Sequence, residues 1–246
     1  MLARSLALRA GRELVSLREK LGFSDPAALR REGDLRAHEF LMTELAAARP
    51  DDAVLSEEGS GEQGRSGRNR LSASRVWIVD PLDGTREFAE AGRADWAVHV
   101  ALWRDGDLAV GAVALPAQGQ VLSSDAPVVP AAMAERPRIA VSRSRPADFL
   151  VPLAERLDAQ LVAMGSAGAK VAAVVTGRVD AYVHAGGQYE WDSAAPVAVA
   201  RAAGMHASRI DGSPLTYNRA DPSLADLVVC RAELAASLLS AIAAVR

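Results

Sequence analysis

Apolar positions recur along this chain in distinct rhythms, and each rhythm predicts a different element. Leu2, Leu6, Leu14, Leu17 and Leu21 come at roughly helical spacing with charged residues between them, which predicts an amphipathic surface helix. A second helix is expected from about Asp34 to Arg49, with Leu35, Leu41 and Leu45 on one face and Pro50 ending it. The short run AVL at 53–55 delivers SEE at 56–58. Residues 59–74, GSGEQGRSGRNRLSAS, have no apolar periodicity and read as a mobile loop, either a lid or slack.

VWIV at 76–79 is a buried-strand run that leads straight into DPLDGT. WAVHVALW and LAVGAVAL flank RDGD, whose Asp105-Gly106 pair signals a hairpin, and GQVLSSD follows as a third strand. From about Pro137, strands and helices alternate to the end: RIAVS, PADFLVPLAERL, QLVAMGS, AGAKVAAVVTG, VDAYVHA, SAAPVAVARAAG, DLVVC and AELAASLLSAIAAV. The pattern predicts helices plus an antiparallel sheet in residues 1–133 and an α/β half in 134–246. With neither a disordered linker nor an internal repeat, residues 1–246 are expected to pack as a single unit.

Composition narrows the partners. The 246 residues are 50% hydrophobic and 24% charged, with a net charge of −3, so the chain can bury a large core and lies outside the disordered regime. Mild acidity argues against a nucleic-acid polymer as partner. The single cysteine, Cys230, can form no internal disulfide, which suits a reducing compartment. Arg4, Arg9, Arg12, Glu13 and Glu19 interrupt the N-terminal apolar positions, and no other stretch approaches the roughly 18 apolar residues of a membrane span. A cytoplasmic protein with no membrane partner is expected.

Asp80 and Asp83 stand at a strand exit, where a turn can present both. Pro81 fixes its own φ and pushes Asp80 toward extended geometry. Two carboxylates and the carbonyl of Leu82 form a hard oxygen set of the kind Mg²⁺ prefers. Gly84 leaves room at the backbone, and Thr85 adds a hydroxyl and an N–H where REFAEAG begins a short helix. Taken alone, DPLDG reads rather as an ordinary turn with solvated acids, and Asp192 in WDSAAP rather as a helix N-cap. The metal reading gains its force from Glu57, DPLDG and Asp192 occurring together.

These segments resemble a known family. E-E, then D-P-L-D-G-T-x-x-F, then W-D-x-A-A-P is similar to the Mg²⁺-dependent, lithium-sensitive phosphatases of the inositol monophosphatase and fructose bisphosphatase superfamily. The resemblance runs from about Asp34 to the C-terminus. It implies an α/β (α+β) fold, a layered α-β-α-β-α sandwich, and often a homodimer. It also implies a first metal at Glu57, Asp80 and the Leu82 carbonyl, and a second at Asp80, Asp83 and Asp192. Asp34 and Thr85 would work on the attacking water, with Glu57 and Asp34 near a third, weaker ion in some members. Glu58 either orients Glu57 or faces solvent. Gly84 and Thr85 N–H groups would grip the phosphoryl oxygens while a metal-activated water attacks in line.

GSAGAK at 165–170 bears on the substrate. As a P-loop it fails on spacing and on Val171. Its A-G-x-K form resembles the bisphosphate nucleotidase branch, with Ser166, Gly168 and Lys170 as substrate contacts. HASRIDGSPLTYN and HAGGQYEWDSAAP resemble the bacterial nucleotidases of sulfur assimilation, which remove the 3'-phosphate of 3'-phosphoadenosine 5'-phosphate (PAP); its sulfated relative PAPS is a further candidate. Lys170 would meet a second phosphate or the nucleotide, against the alternative of a helix-start lysine with its head in solvent. Inositol phosphates and fructose 1,6-bisphosphate are the alternative substrates, and a silent metal- or nucleotide-binding regulator is the alternative class. Ala185 stands where inositol phosphatases place an acidic residue, which weakens that reading, and the segment before Asp34 lacks the family's Lys and Ser/Thr-rich loop. His99 is expected to be a satisfied sheet residue, His184 a possible substrate contact, Trp191 a packing anchor and Cys230 inert.

Overall fold

The computed structural model describes residues 1–59, 70–130, 132–133 and 135–246. In chain order the elements are α1 (Leu2–Leu21), α2 (Pro26–Ala48), β1 (Ala53–Ser56), β2 (Arg75–Asp83), α3 (Thr85–Phe88), β3 (Ala97–Arg104), β4 (Asp107–Leu115) and β5 (Gln120–Ser123). The second half adds β6 (Arg138–Ser142), α4 (Leu150–Arg156), β7 (Gln160–Met164), α5 (Ala167–Val175), β8 (Ala181–Tyr189), α6 (Glu190–Ala202), β9 (His206–Ser208), β10 (Ser223–Cys230) and α7 (Ala235–Val245).

One sheet has the order β1-β2-β3-β4-β5 and the other β7-β6-β8-β10-β9. In the first, β1 and β2 are parallel and the rest is an antiparallel meander. The Asp-Gly pair closes its hairpin with positive φ at both Asp105 and Gly106, as a tight β3–β4 turn requires. The second sheet is mixed: β6 runs parallel to β7 and β8, while β10 is antiparallel to β8 and β9.

Side-chain alternation divides the core into three slabs. Trp77, Val79, Val98 and Val100 face α1 and α2, whereas Val76, Ile78, Ala97 and Ala101 face α5 and α6. Across that middle slab lie Ala140, Tyr182, Leu227 and Val229, and the other face of the second sheet packs Ile139, Val183 and Val228 against α4 and α7. The stack is therefore helix, sheet, helix, sheet, helix. That is the expected layered α-β-α-β-α sandwich of an α+β fold. No helix among the described residues is long and apolar enough to cross a membrane.

The structure corrects several sequence expectations. Helix α2 begins at Pro26, well before Asp34, because Asp25 caps it by accepting from the N–H groups of Ala27 and Ala28 while Pro26 takes the first helical position. Its buried face is Leu29, Gly33, Ala37, Leu41 and Leu45, a spacing of four; Leu35 is 51% exposed. Most of the supposed loop at 59–74 lies outside the described residues. Its end is ordered, since Arg70–Ser72 form a 3-10 turn in which buried Arg70 donates to Asn218 Oδ1 at 2.9 Å. Helix α4 is shorter than predicted, and β9 was not foreseen.

Candidate active site

Strand β2 does not stop at Asp80, as a turn at DPLDG would require; it continues to Asp83 through a bulge. Asp80 pairs with His99 and Asp83 with Ala97, so β2 spends one more residue than β3 over that stretch. Alternation alone would send side chains three positions apart to opposite faces. The extra residue restores Asp83 to the face of Asp80 and turns Leu82 into the slab under α2. A steric consequence follows at Gly33, where a Cβ would lie 2.7 Å from Phe88 and 2.8 Å from Leu82. Because α2 presses so closely, Asp34 reaches Thr85: the Thr85 hydroxyl donates to the Leu82 carbonyl at 3.0 Å and has Asp34 Oδ1 at 3.4 Å.

Glu57 follows β1 one position beyond the pair Ser56–Val79, which brings it beside Asp80. There burial and the Glu57 charge together raise the proton affinity of Asp80. Asp192 stands at the third position of α6, not at its cap, and its Oδ2 accepts from the Tyr189 N–H at 2.6 Å. One oxygen from each of Asp80, Asp83 and Asp192 lies within 4.8 Å of the others.

Asp83 is held by the start of α5. Its Oδ2 accepts from Ser166 Oγ at 2.5 Å and Gly168 N at 2.6 Å, and its Oδ1 accepts from Ala167 N at 3.1 Å. Ser166 adopts a φ of 45°, unusual for a residue with a side chain, while its hydroxyl serves twice, donating to Asp83 and accepting from Ala169 N. Close approach of the two segments requires Gly84, whose φ is 84° and whose Cβ would come 3.0 Å from that of Ser166.

His99 departs from the expectation of a bystander. Fully buried, it sets Nε2 3.1 Å from Asp83 Oδ2, close but not aligned for a hydrogen bond, and Nδ1 4.0 Å from Asp80 Oδ2. Its Nδ1 lies 3.1 Å from the Trp191 carbonyl, which can only accept, so Nδ1 carries a proton. Nothing in the β3 sequence shows this, because the β2–β3 register that brings His99 opposite Asp80 is a tertiary outcome.

The electrostatics are those of an overcrowded acidic site. Desolvation, with Glu58 adding, pushes Asp34 up to about 7. Glu57 also reaches about 7, through desolvation and then Asp83, Asp34 and Glu58, against the opposing hydrogen bond to Asp80. Desolvation followed by Asp83 brings Asp192 to about 7. Asp80 is raised further, by desolvation and by Glu57, Asp83 and Asp192. Burial would raise Asp83 too, but facing His99, Ser166 and Gly168 outweigh it and hold the carboxyl at about 2. An all-oxygen cluster that binds protons this tightly is short of positive charge, and its donors suit a hard divalent cation.

A cleft of about 240 Å³ opens on this cluster at Asp83, Gly84, Thr85 and Asp192, and also carries Ser166, Lys170, Arg145 and His184. Lys170 has no solvated head: it is 5% exposed, donates to the Gly165 carbonyl at 3.0 Å and sits 5.1 Å over the Tyr182 ring. His184 lines the cleft, with Nε2 2.7 Å from the Gly186 carbonyl. Gly168, expected to line the pocket, packs elsewhere, since a Cβ there would fall 2.1 Å from His99 Nε2. Arg145 went unnoticed in the sequence, where a lone arginine in SRSRPAD carries no pattern. Trp191 stacks on Tyr189 with centroids 4.7 Å apart, and Cys230 is buried with its thiol pushed up to about 12 by desolvation and Glu233.

Known proteins share this architecture. A family model described as the inositol monophosphatase family matches residues 7–245. The chain is 53% identical to a 3'-phosphoadenosine 5'-phosphate phosphatase of Mycobacterium leprae (strain TN), over 98% of this chain and 92% of that protein. It is 33% identical to the 3'(2'),5'-bisphosphate nucleotidase CysQ of Escherichia coli (strain K12), over 75% and 77% of the two chains. The crystal structure of CysQ from Bacteroides thetaiotaomicron superposes with a TM-score of 0.78 at 26% identity, covering 94% of this chain and 96% of that one. By sequence and by fold, the chain belongs to the inositol monophosphatase family.

Proposed function

We propose that this chain is a Mg²⁺-dependent phosphomonoesterase that hydrolyses the 3'-phosphate of 3'-phosphoadenosine 5'-phosphate to give AMP and phosphate. The observation that carries the reading is a cleft in which a buried lysine and an arginine stand beside a carboxylate cluster, in a chain 53% identical to a phosphatase named for that substrate. A doubly phosphorylated nucleotide matches both features, with one phosphate at the acidic cluster and the other near Lys170 and Arg145.

The residues divide the work as follows. Glu57, Asp80 and the Leu82 carbonyl would hold one Mg²⁺, and Asp80, Asp83 and Asp192 a second, with a third position between Glu57 and Asp34. When bound, the ions offset the charge of the phosphoryl oxygens and acidify a water. Asp34, whose Oδ1 lies 3.4 Å from Thr85 Oγ1, would accept the Thr85 hydrogen bond in place of the Leu82 carbonyl, leaving an Oγ1 lone pair to accept from the attacking water. The Gly84 and Thr85 N–H groups would bind the phosphoryl oxygens, and Ser166 would hold the Asp83 wall of the cleft in place. The reducing setting that a single buried cysteine suits makes the cytoplasm the proposed location.

Phosphate release compared as kcat/KM for PAP, inositol 1-phosphate and fructose 1,6-bisphosphate tests the reading. PAP is expected to lead; an advantage of about tenfold or more for inositol 1-phosphate, or about 1.4 kcal/mol of transition-state binding, would overturn it. Absence of turnover on all three would favour the silent regulator.

A further inference from the structure

We propose that His99 is a positioning residue that ties Asp83 to the first turn of α6 and thereby sets the spacing of Asp83 and Asp192. The proposal rests on the metal-ligand reading of those two acids and adds to it a residue from a third element. His99 is fully buried and is not part of the cleft wall, so it acts on the reaction only through its neighbours.

The imidazole is a rigid spacer with a contact at each nitrogen. Nδ1 holds the Trp191 carbonyl at 3.1 Å, one residue before Asp192, and Nε2 stands 3.1 Å from Asp83 Oδ2. Those contacts join the end of β2 to the start of α6, segments more than a hundred residues apart in sequence. The ring cannot tilt away, because bare Gly168 of α5 closes over it with space for no Cβ. Its effect on Asp83 is specific to one oxygen. Oδ2 accepts from Ser166 and Gly168 and packs against His99 Nε2, whereas Oδ1 accepts from Ala167 N alone. A carboxylate oxygen has two lone pairs, so Oδ2 is saturated and Oδ1 is the atom left to face a cation.

The test uses the full chain with His99→Val and His99→Gln. Mn²⁺ is titrated calorimetrically into protein without substrate, and turnover is followed against Mg²⁺ and against PAP. His99→Val is expected to weaken Mn²⁺ binding and to raise the Mg²⁺ needed for half-maximal turnover by roughly 10–100-fold, as when an outer partner of a metal ligand is removed. KM for PAP at saturating Mg²⁺ should stay within about threefold, since KM alone moves when uniform substrate binding is lost. His99→Gln, which keeps one of the two contacts, should fall between parent and His99→Val. Unchanged Mn²⁺ affinity in a variant that merely melts lower would make His99 a packing residue and overturn the proposal, as would a shift confined to KM. Should His99→Val fail to fold, His99→Gln is judged by the same two measurements. Failure of the parent itself to bind Mn²⁺ would overturn the metal reading and this proposal with it, a result distinct from equal binding by parent and variant.

Discussion

Replacing Lys170 with Met removes a charge while keeping the length of the side chain. Nζ has three protons, one of which goes to the Gly165 carbonyl, leaving two for a ligand in the cleft. Burial lowers its proton affinity, but Asp83, Glu87, Asp95 and Asp192 oppose that effect. A hydrogen bond to a charged group contributes about 1.5–3 kcal/mol, so its loss should lower kcat/KM for PAP by roughly 10–150-fold. Adenosine 3'-phosphate, which lacks the second phosphate, should lose much less. The variant also strips the Gly165 carbonyl of its donor at about 1 kcal/mol, which for a chain of this size lowers Tm by roughly 2–4 °C. The assay is phosphate release from both substrates at saturating Mg²⁺, with Tm measured in parallel. Equal losses on the two substrates would refute the reasoning, because Lys170 would then act only by bracing the start of α5.

Other expectations concern the acids. Asp83→Asn should abolish turnover while leaving far-UV circular dichroism unchanged; activity within about tenfold of the parent, or 1.4 kcal/mol, would remove Asp83 from the metal site. Asp180, which is fully buried, accepts from Arg138 N and Nε and from Arg231 Nε, so Asp180→Ala should cost about 3–5 kcal/mol in urea unfolding. Burial would raise the proton affinity of Asp52, but hydrogen bonds from Arg49, Trp77 and Arg75 outweigh it and hold the carboxyl below its usual value. A depressed folded-state pKa adds stability that is fully present above the unfolded value near 3.8 and is lost as pH falls through the folded one. The stability gap between parent and Asp52→Asn, measured by urea titration, should therefore be widest near neutrality and close in strong acid; a gap that grows on acidification would contradict the assignment.

Much of this protein was legible in one dimension. Helices α1, α5 and α7 and the β3–β4 hairpin follow from local rhythm and an Asp-Gly turn. Glu57, DPLDGT and WDSAAP name the family without any knowledge of how they meet. Each of these signals is carried by residues close together in sequence, where spacing and composition already constrain the backbone. What eluded the sequence was set by packing between distant segments. The bulge that brings Asp83 to the face of Asp80, the mid-helix position from which Asp34 reaches Thr85, and the inward turn of Lys170 all depend on contacts across the sheet and the middle helices. His99 is the clearest case. An alternating strand marks it only as inward-facing, and the β2–β3 register, the start of α6 and bare Gly168 together set it between Asp83 and the Trp191 carbonyl. The sequence alone determined which chemical groups the protein has and in what order; only the tertiary structure decided which of them touch, because those contacts join residues whose separation along the chain leaves no local trace.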